Sequence, residues 1–147
     1  MTSPSSRKPA KARRLLTDLR PTADWGLIHA DMLRENILAQ GTDLTLIDFD
    51  DCGWGFRLYD LATAIVQSLE EPTLPTLARA LIRGYASLRP VDADRLALFV
   101  MLRTFASAGW IATRAGADDP RQAFYASRAT RMARHILDDT APWGKFA

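Results

Sequence analysis

With 147 residues, of which 48% are apolar and 24% charged, the chain has the proportions of one globular domain large enough to bury a core. Its single cysteine, Cys52, excludes an internal disulfide, and the adjacent Asp51 discourages a reactive thiolate there. The net charge of +2 is too small to identify a nucleic-acid binder, and no unbroken apolar run approaches the roughly 20 residues that span a bilayer. The first residues also lack the apolar core of a signal peptide, so a cytoplasmic protein with no membrane partner is expected.

In chain order, Met1–Ala10 is rich in Ser, Pro and basic residues and reads as a disordered basic tail reaching to about residue 12. Lys11–Arg20 predicts a short helix that Pro21 ends. Ile37-Leu38-Ala39 and Leu44-Thr45-Leu46-Ile47, on either side of Gln40-Gly41-Thr42-Asp43, predict a β-hairpin with a glycine turn. Trp54-Gly55-Phe56 reads as a loop leading into a helix near Leu58–Leu69. Pro72 and Pro75 punctuate the start of a helix that runs to about Leu88. Asp92 is expected to cap a long helix through Thr113, apolar on nearly every face, which predicts the buried centre of a bundle. After a turn over Gly116–Pro120, a last helix spans about Arg121–Asp138, with Tyr125, Ala129, Met132 and Ile136 in one stripe. The fold class that follows is α+β and mainly helical, a short hairpin plus about four helices over residues 13–140, with a tail at 141–147.

The chemistry is concentrated in His29-Ala30-Asp31-Met32-Leu33-Arg34-Glu35-Asn36 and in Asp48-Phe49-Asp50-Asp51. The hairpin between them folds the chain back, so an acid, an amide and a second acid can surround one divalent cation. Magnesium takes hard oxygen ligands, one or two of them from protein. Asp48 offers a carboxylate and Asn36 an amide oxygen, leaving Asp31 free to accept a proton from a hydroxyl. That division of labour serves phosphoryl transfer, where the protein mostly positions reactants and neutralises charge. Asp31, Glu35, Asp48, Asp50 and Asp51 also crowd into one stretch, and like charges held close oppose folding unless a cation compensates. Arg34 and Arg57 are expected to offset part of that charge. Asp50 and Asp51 are candidate substrate or charge partners, as is Arg57, or else are solvated. His29 reads as a residue packed beneath the loop, and Asp60 as the cap of the next helix. Asp48 has no comfortable structural use, because a carboxylate ending an apolar strand is costly if buried unpaired.

These residues resemble the aminoglycoside phosphotransferase and choline kinase family, which has a protein-kinase-like fold. The resemblance is carried by Ile28-His29-Ala30-Asp31 through Asn36, by Leu46-Ile47-Asp48-Phe49-Asp50-Asp51 and by Tyr59-Asp60-Leu61-Ala62, in the order of that family's C-terminal lobe. The run from Asp48 to Ala62 is most similar to homoserine-kinase-like bacterial small-molecule kinases. The resemblance implies transfer of the ATP γ-phosphate to a small-molecule hydroxyl. It makes Asp31 the catalytic base and makes Asn36 and Asp48 the ligands of Mg2+, through which the cofactor ATP is held. It further implies that Asp60 braces the loop through backbone hydrogen bonds, with His29 as structural support.

The family's N-terminal ATP lobe has no visible counterpart. Lys8, Lys11 and Lys145 are the only lysines, all near the ends, and no Gly-rich phosphate loop occurs. The chain is therefore expected to be a C-terminal lobe with the ATP lobe absent, inactive alone or dependent on a separate N-lobe protein or a homo-oligomer. An exposed apolar patch is expected where that lobe would sit. Two other classes compete. One is a non-catalytic binding or scaffold domain derived from a kinase lobe. The other is a basic nucleic-acid-binding protein, which the pI near 9.0 and Arg114, Arg121, Arg128, Arg131 and Arg134 invite. The arginines of the last helix lie opposite its apolar stripe, as on a solvated face, with no interleaved aromatic motif, and a nucleic-acid partner is not expected.

Overall fold

Gly41 adopts φ +61° as the first residue of a two-residue turn, a conformation that glycine enters without steric cost. The turn joins β2 (Ile37–Gln40) to β3 (Asp43–Leu46) in the expected antiparallel hairpin, with Ile37 opposite Leu46. The computed structural model describes Arg14 and residues 24–116 and 118–146. The basic tail and, Arg14 apart, the helix expected over Lys11–Arg20 lie outside the described residues.

A second two-stranded sheet is a correction to the sequence reading. β1 (Trp25–Ile28) pairs antiparallel with β4 (Gly53–Phe56), Trp25 opposite Phe56 and Ile28 opposite Gly53. The segment read as a loop is thus a strand. Its glycines hide it, since glycine is poorly represented in strands, yet Gly55 is needed: a Cβ there would lie 2.4 Å from Ile28 Cδ1.

Four helices follow: α1 (Arg57–Val66), α2 (Leu74–Ala86), α3 (Leu96–Arg114) and α4 (Pro120–Leu137). α1 buries Leu58, Leu61, Ala62 and Ile65, the stripe that a helix turns toward a core. α2 buries Leu74, Ala78 and Ile82, with Pro75 in its first turn where no amide partner is lost. Both α1 and α4 pack on α3. The Phe56 and Phe99 rings, 5.4 Å apart, tie β4 to that core.

Three expectations about the helices change. α3 is not buried throughout: Leu96 to Met101 are, but Trp110 is 53% exposed. Beyond Met101 only Thr104 and Ile111 are buried, so the second half of α3 turns one face to the core and the other outward. By length and composition Ala93–Arg114 is apolar enough to span a bilayer, although no unbroken run is, and in this fold its first half is the core of the helical body. Asp92 does not cap α3. Its carboxylate takes Arg95 Nε at 2.6 Å, and a 3-10 turn at Ala93–Arg95 leads into the helix. The residues read as a C-terminal tail also belong to the domain, since Trp143 is 4% exposed and joins the core cluster.

α4 places Ala129 and Met132 on the core as its stripe requires. Arg121, Arg131 and Arg134 lie on the expected solvated face, Arg121 paired with the N-cap Asp119 and Arg131 with Glu70. Arg128 departs from it: it is buried, stacks over Phe124 and pairs with Glu70.

Candidate active site

The loop leaving β1 reverses at Ala30, whose φ of +67° costs an L-residue about 1–2 kcal/mol. Asp60, in the first turn of α1, offsets that cost. Its Oδ2 accepts the His29 N–H and its Oδ1 the Ala30 N–H, both at 2.8 Å. At the other end of α1, Gln67 Oε1 accepts the Arg34 N–H at 2.9 Å, and its Nε2 donates to Glu35 at 2.9 Å. Asp60 and Gln67 lie two helical turns apart on one face, so a single helix holds both ends of the loop. Arg34 adds bonds to Ser68 Oγ at 2.5 Å and to Glu71 at 2.7 Å.

Within the loop, Asn36 is 7% exposed and donates Nδ2 to the Asp31 carbonyl at 2.9 Å and to Asp31 Oδ2 at 3.3 Å. Both neighbours are acceptors, which fixes the amide orientation and leaves its oxygen without a donor among the described residues. The Asn36 carbonyl accepts the Ile47 N–H at 3.1 Å, extending the hairpin register by one pair, so that Asp48 is the residue after the one opposite Asn36. His29 seals the other side. Its Nε2 meets the Ile47 carbonyl at 2.8 Å and therefore carries the proton, while Nδ1 is the acceptor of a long 3.4 Å contact from the Asp31 N–H. The Phe49 ring packs against the His29 ring in a tilted arrangement, centroids 4.6 Å apart.

Asp48 is exposed at the end of the hairpin with φ +63°, a conformation that Asp tolerates better than most residues, and its side chain makes no hydrogen bond or ion pair among the described residues. Asp50 and Asp51 are likewise exposed and unpaired among the described residues, as is the Cys52 thiol. The structure thus joins His29, Asp31, Asn36 and Asp60 in one hydrogen-bonded loop and sets Asp48 at its edge. No three side chains among the described His, Cys, Asp and Glu residues are placed as a metal cluster. What is present is a carboxylate and a free amide oxygen, hard donors of the kind that suit magnesium when waters and phosphates complete its shell.

The counter-charges differ from expectation. Arg34 turns to Glu71, and Arg57 reaches back across β1 to Asp24 at 2.5 Å, so neither neutralises the acid cluster. Gly26 permits that crossing: a Cβ there would lie 1.7 Å from Arg57 Nη2. Asp24 also accepts from Tyr85 at 2.9 Å and Arg89 at 3.2 Å. Burial pushes the Asp24 carboxyl up, but the hydrogen bonds from Tyr85 and Arg57 and the charges of Arg57 and Arg89 outweigh it and hold its pKa below the usual value. Tyr85, through burial and its bond to Asp24, is pushed up to about 12 and stays a donor.

Among the described residues, the cation that does reach the site is Arg103 of α3, whose Nη2 donates to Asp31 Oδ1 at 2.8 Å. Sequence reasoning missed it. One signal existed, for Arg103 is the only charged residue between Leu96 and Thr113. Gln67 carried no signal at all. Large apolar side chains are exposed on both sheets and the loop after them, among them Trp25, Leu27, Leu38, Leu44, Phe49 and Trp54.

Residues 4–99 match the phosphotransferase enzyme family. The chain is 36% identical over 101 residues to homoserine kinase of Pseudomonas aeruginosa, covering 59% of this chain and 32% of that one. It superposes on a microcompartment-associated aminopropanol kinase with a TM-score of 0.74 and 28% identity, over 91% of this chain and 45% of the other. An amicoumacin kinase in complex with AMP-PNP, Ca2+ and Ami shares the fold, with a TM-score of 0.67 and 21% identity over 100% of this chain and 48% of that one. The chain spans about a third of the homoserine kinase and under half of either solved kinase. With that match over more than half of its length, and with a kinase-like, mainly helical α+β fold, the chain belongs to the phosphotransferase enzyme family.

Proposed function

We propose that this chain supplies the catalytic-loop half of a cytoplasmic kinase that transfers the γ-phosphoryl group of ATP to the hydroxyl of a small molecule. The observation that carries this reading is the orientation of Asn36. Its N–H groups are spent on Asp31, and among the described residues its oxygen has no donor and Asp48, one residue past its hairpin partner Ile47, is unpaired. Asn36 Oδ1 and the Asp48 carboxylate would hold magnesium, which when bound neutralises and orients the phosphates. Asp31 stays off the metal and accepts the proton of the acceptor hydroxyl as the new P–O bond forms. Asp60, Gln67 and His29 keep that carboxylate in place through the backbone and touch no reactant.

The kinases it resembles act, by their names, on homoserine, on aminopropanol and on amicoumacin, which supports a small-molecule acceptor and leaves its identity open. The exposed apolar side chains around the loop support completion by a further lobe, whether a separate N-lobe protein or a second copy. A nucleic-acid role has less support, because Arg121, Arg128 and Arg131 are engaged by Asp119 and Glu70.

The test is transfer of label from γ-labelled ATP to a panel of small alcohols, by the chain alone and mixed with a polypeptide that supplies an ATP lobe. Asp31→Asn is expected to lower turnover at least about a hundredfold with the fold intact. Undiminished transfer by Asp31→Asn, or no transfer in any mixture, would overturn the proposal.

A further inference from the structure

Among the buried polar side chains, Thr63 and Thr104 bond back into their own helices. The others are His29 and Asn36 in the loop, Ser68 in the turn after α1, and Arg128 in α4. Arg128 is the one buried side chain among the described Asp, Glu, Lys and Arg residues. It grips Glu70 with both prongs of its fork, Nε on Oε1 at 3.2 Å and Nη2 on Oε2, and its guanidinium carbon lies 4.6 Å from the centre of the Phe124 ring. Arg131 adds a third donor to Oε1 from a more exposed position. A buried arginine–carboxylate pair adds little net stability, because desolvation of the ions cancels most of their attraction. What a two-pronged pair does supply is a fixed geometry.

The geometry fixed here is that of the turn at residues 67–71, which faces two partners. Toward the loop, Gln67 holds the Arg34 N–H and Glu35, while Ser68 and Glu71 accept from the Arg34 guanidinium. Toward α4, Glu70 takes Arg128 and Arg131. The turn is braced internally, the Ser68 N–H on the Ile65 carbonyl and the Glu71 N–H on the Ser68 carbonyl, each at 2.9 Å, so a shift of Glu70 reaches its neighbours. We propose that Arg128 is a positioning residue for the cation site: through Glu70 it locks the turn that holds the Arg34–Asn36 end of the loop, and so the Asn36 oxygen. Its bearing on catalysis rests on the reading of Asn36 as a magnesium ligand. Without Arg128, Glu70 is left to the mobile, half-exposed side chain of Arg131, and the turn loses its anchor on the helical body.

Amide exchange in the full chain separates positioning from mere stability. In Arg128→Met, which keeps the bulk of the side chain without its charge, the Arg34 N–H should exchange about tenfold faster. His29 and Ala30, held by Asp60, and the core amides of α3 should be unchanged. Arg128→Lys, a cation without the fork, should restore part of the protection. Arg131→Met should leave Arg34 protected, since Arg128 keeps both of its bonds to Glu70. Glu70→Gln loosens the same pair from its exposed side and should move the same amides, which keeps the test decisive if Arg128→Met does not fold. Unchanged exchange at Arg34, or faster exchange spread evenly over the loop and α3, would reduce Arg128 to a structural ion pair and overturn the proposal. Magnesium affinity, measured by calorimetry, should fall severalfold in Arg128→Met, and an affinity equal to that of the wild type would overturn it as well. A wild type that binds no magnesium would contradict the kinase reading instead, and exchange at Arg34 would then decide by itself whether Arg128 positions the loop.

Discussion

The sheet end, residues 24–56, and the helical body, residues 57–146, hold themselves together by different means. The body buries Leu61, Ile65, Leu96, Phe99, Val100 and Met132 against one another and is stabilised by area removed from water. The sheet end leaves Trp25, Leu38, Leu44 and Trp54 exposed, with two separate two-stranded sheets in place of a closed core. What fixes its geometry is polar: Asp60 and Gln67 on α1, His29 under Ile47, Asn36 on Asp31, and the Asp24 hub. The loop of His29 to Asn36 is therefore positioned by hydrogen bonds reaching out from α1. Hydrogen bonds specify direction, whereas apolar contact alone does not.

The widest contrast is between two aromatic truncations. Phe99, 1% exposed in the body, should cost about 3–5 kcal/mol as Phe99→Ala, because a large cavity opens where nothing can collapse. Trp54, 74% exposed on the sheet end, should change stability by no more than about 0.5 kcal/mol as Trp54→Ala. Urea unfolding of both variants measures this, and similar losses would erase the distinction between the regions.

Next come the two clamps of the loop. Asp60→Ala removes two bonds from backbone amides to a charged acceptor and is expected to cost about 2–3 kcal/mol. Gln67→Ala removes neutral and more exposed bonds and should cost about 1 kcal/mol. Amide exchange locates the effect: protection of His29 and Ala30 should fall in the first variant, that of Arg34 in the second, and neither in the core of α3.

The smallest effect is that of acid on the Asp24 hub. Its folded pKa is below the unfolded value of about 3.9, so its contribution is complete above that value and is lost as pH falls further. Asp24→Asn should flatten the acid limb of the stability curve below about pH 4 and leave its shape near neutrality unchanged. An unaltered acid limb would remove Asp24 as a titrating brace of β1.

How much of this was legible beforehand depended on whether a residue's role is local. The hairpin was readable because its turn demands glycine and its strands are β-branched or apolar, and the helices because their stripes repeat at helical spacing. The spacing of Asp31, Asn36 and Asp48 was likewise on the surface of the sequence. β4 was not, because Gly53 and Gly55 carry no strand signal, and Gly55 serves instead to let Ile28 of β1 approach. The partners of Arg34, Arg57 and Asp31 were not readable either. Each ion pair joins residues more than thirty positions apart, and sequence proximity had matched Arg34 and Arg57 to the nearest acids. The burial of Trp143 shows the same blindness, since a lone aromatic after the last helix declares no address.

Magnesium titration into the full chain, followed by calorimetry, bears most directly on the central claim that Asn36 and Asp48 form one cation site beside Asp31. Weak binding that disappears in Asp48→Ala, an exposed position whose change should leave the fold intact, is the expected result. Equal binding in both proteins, or none in either, would contradict it.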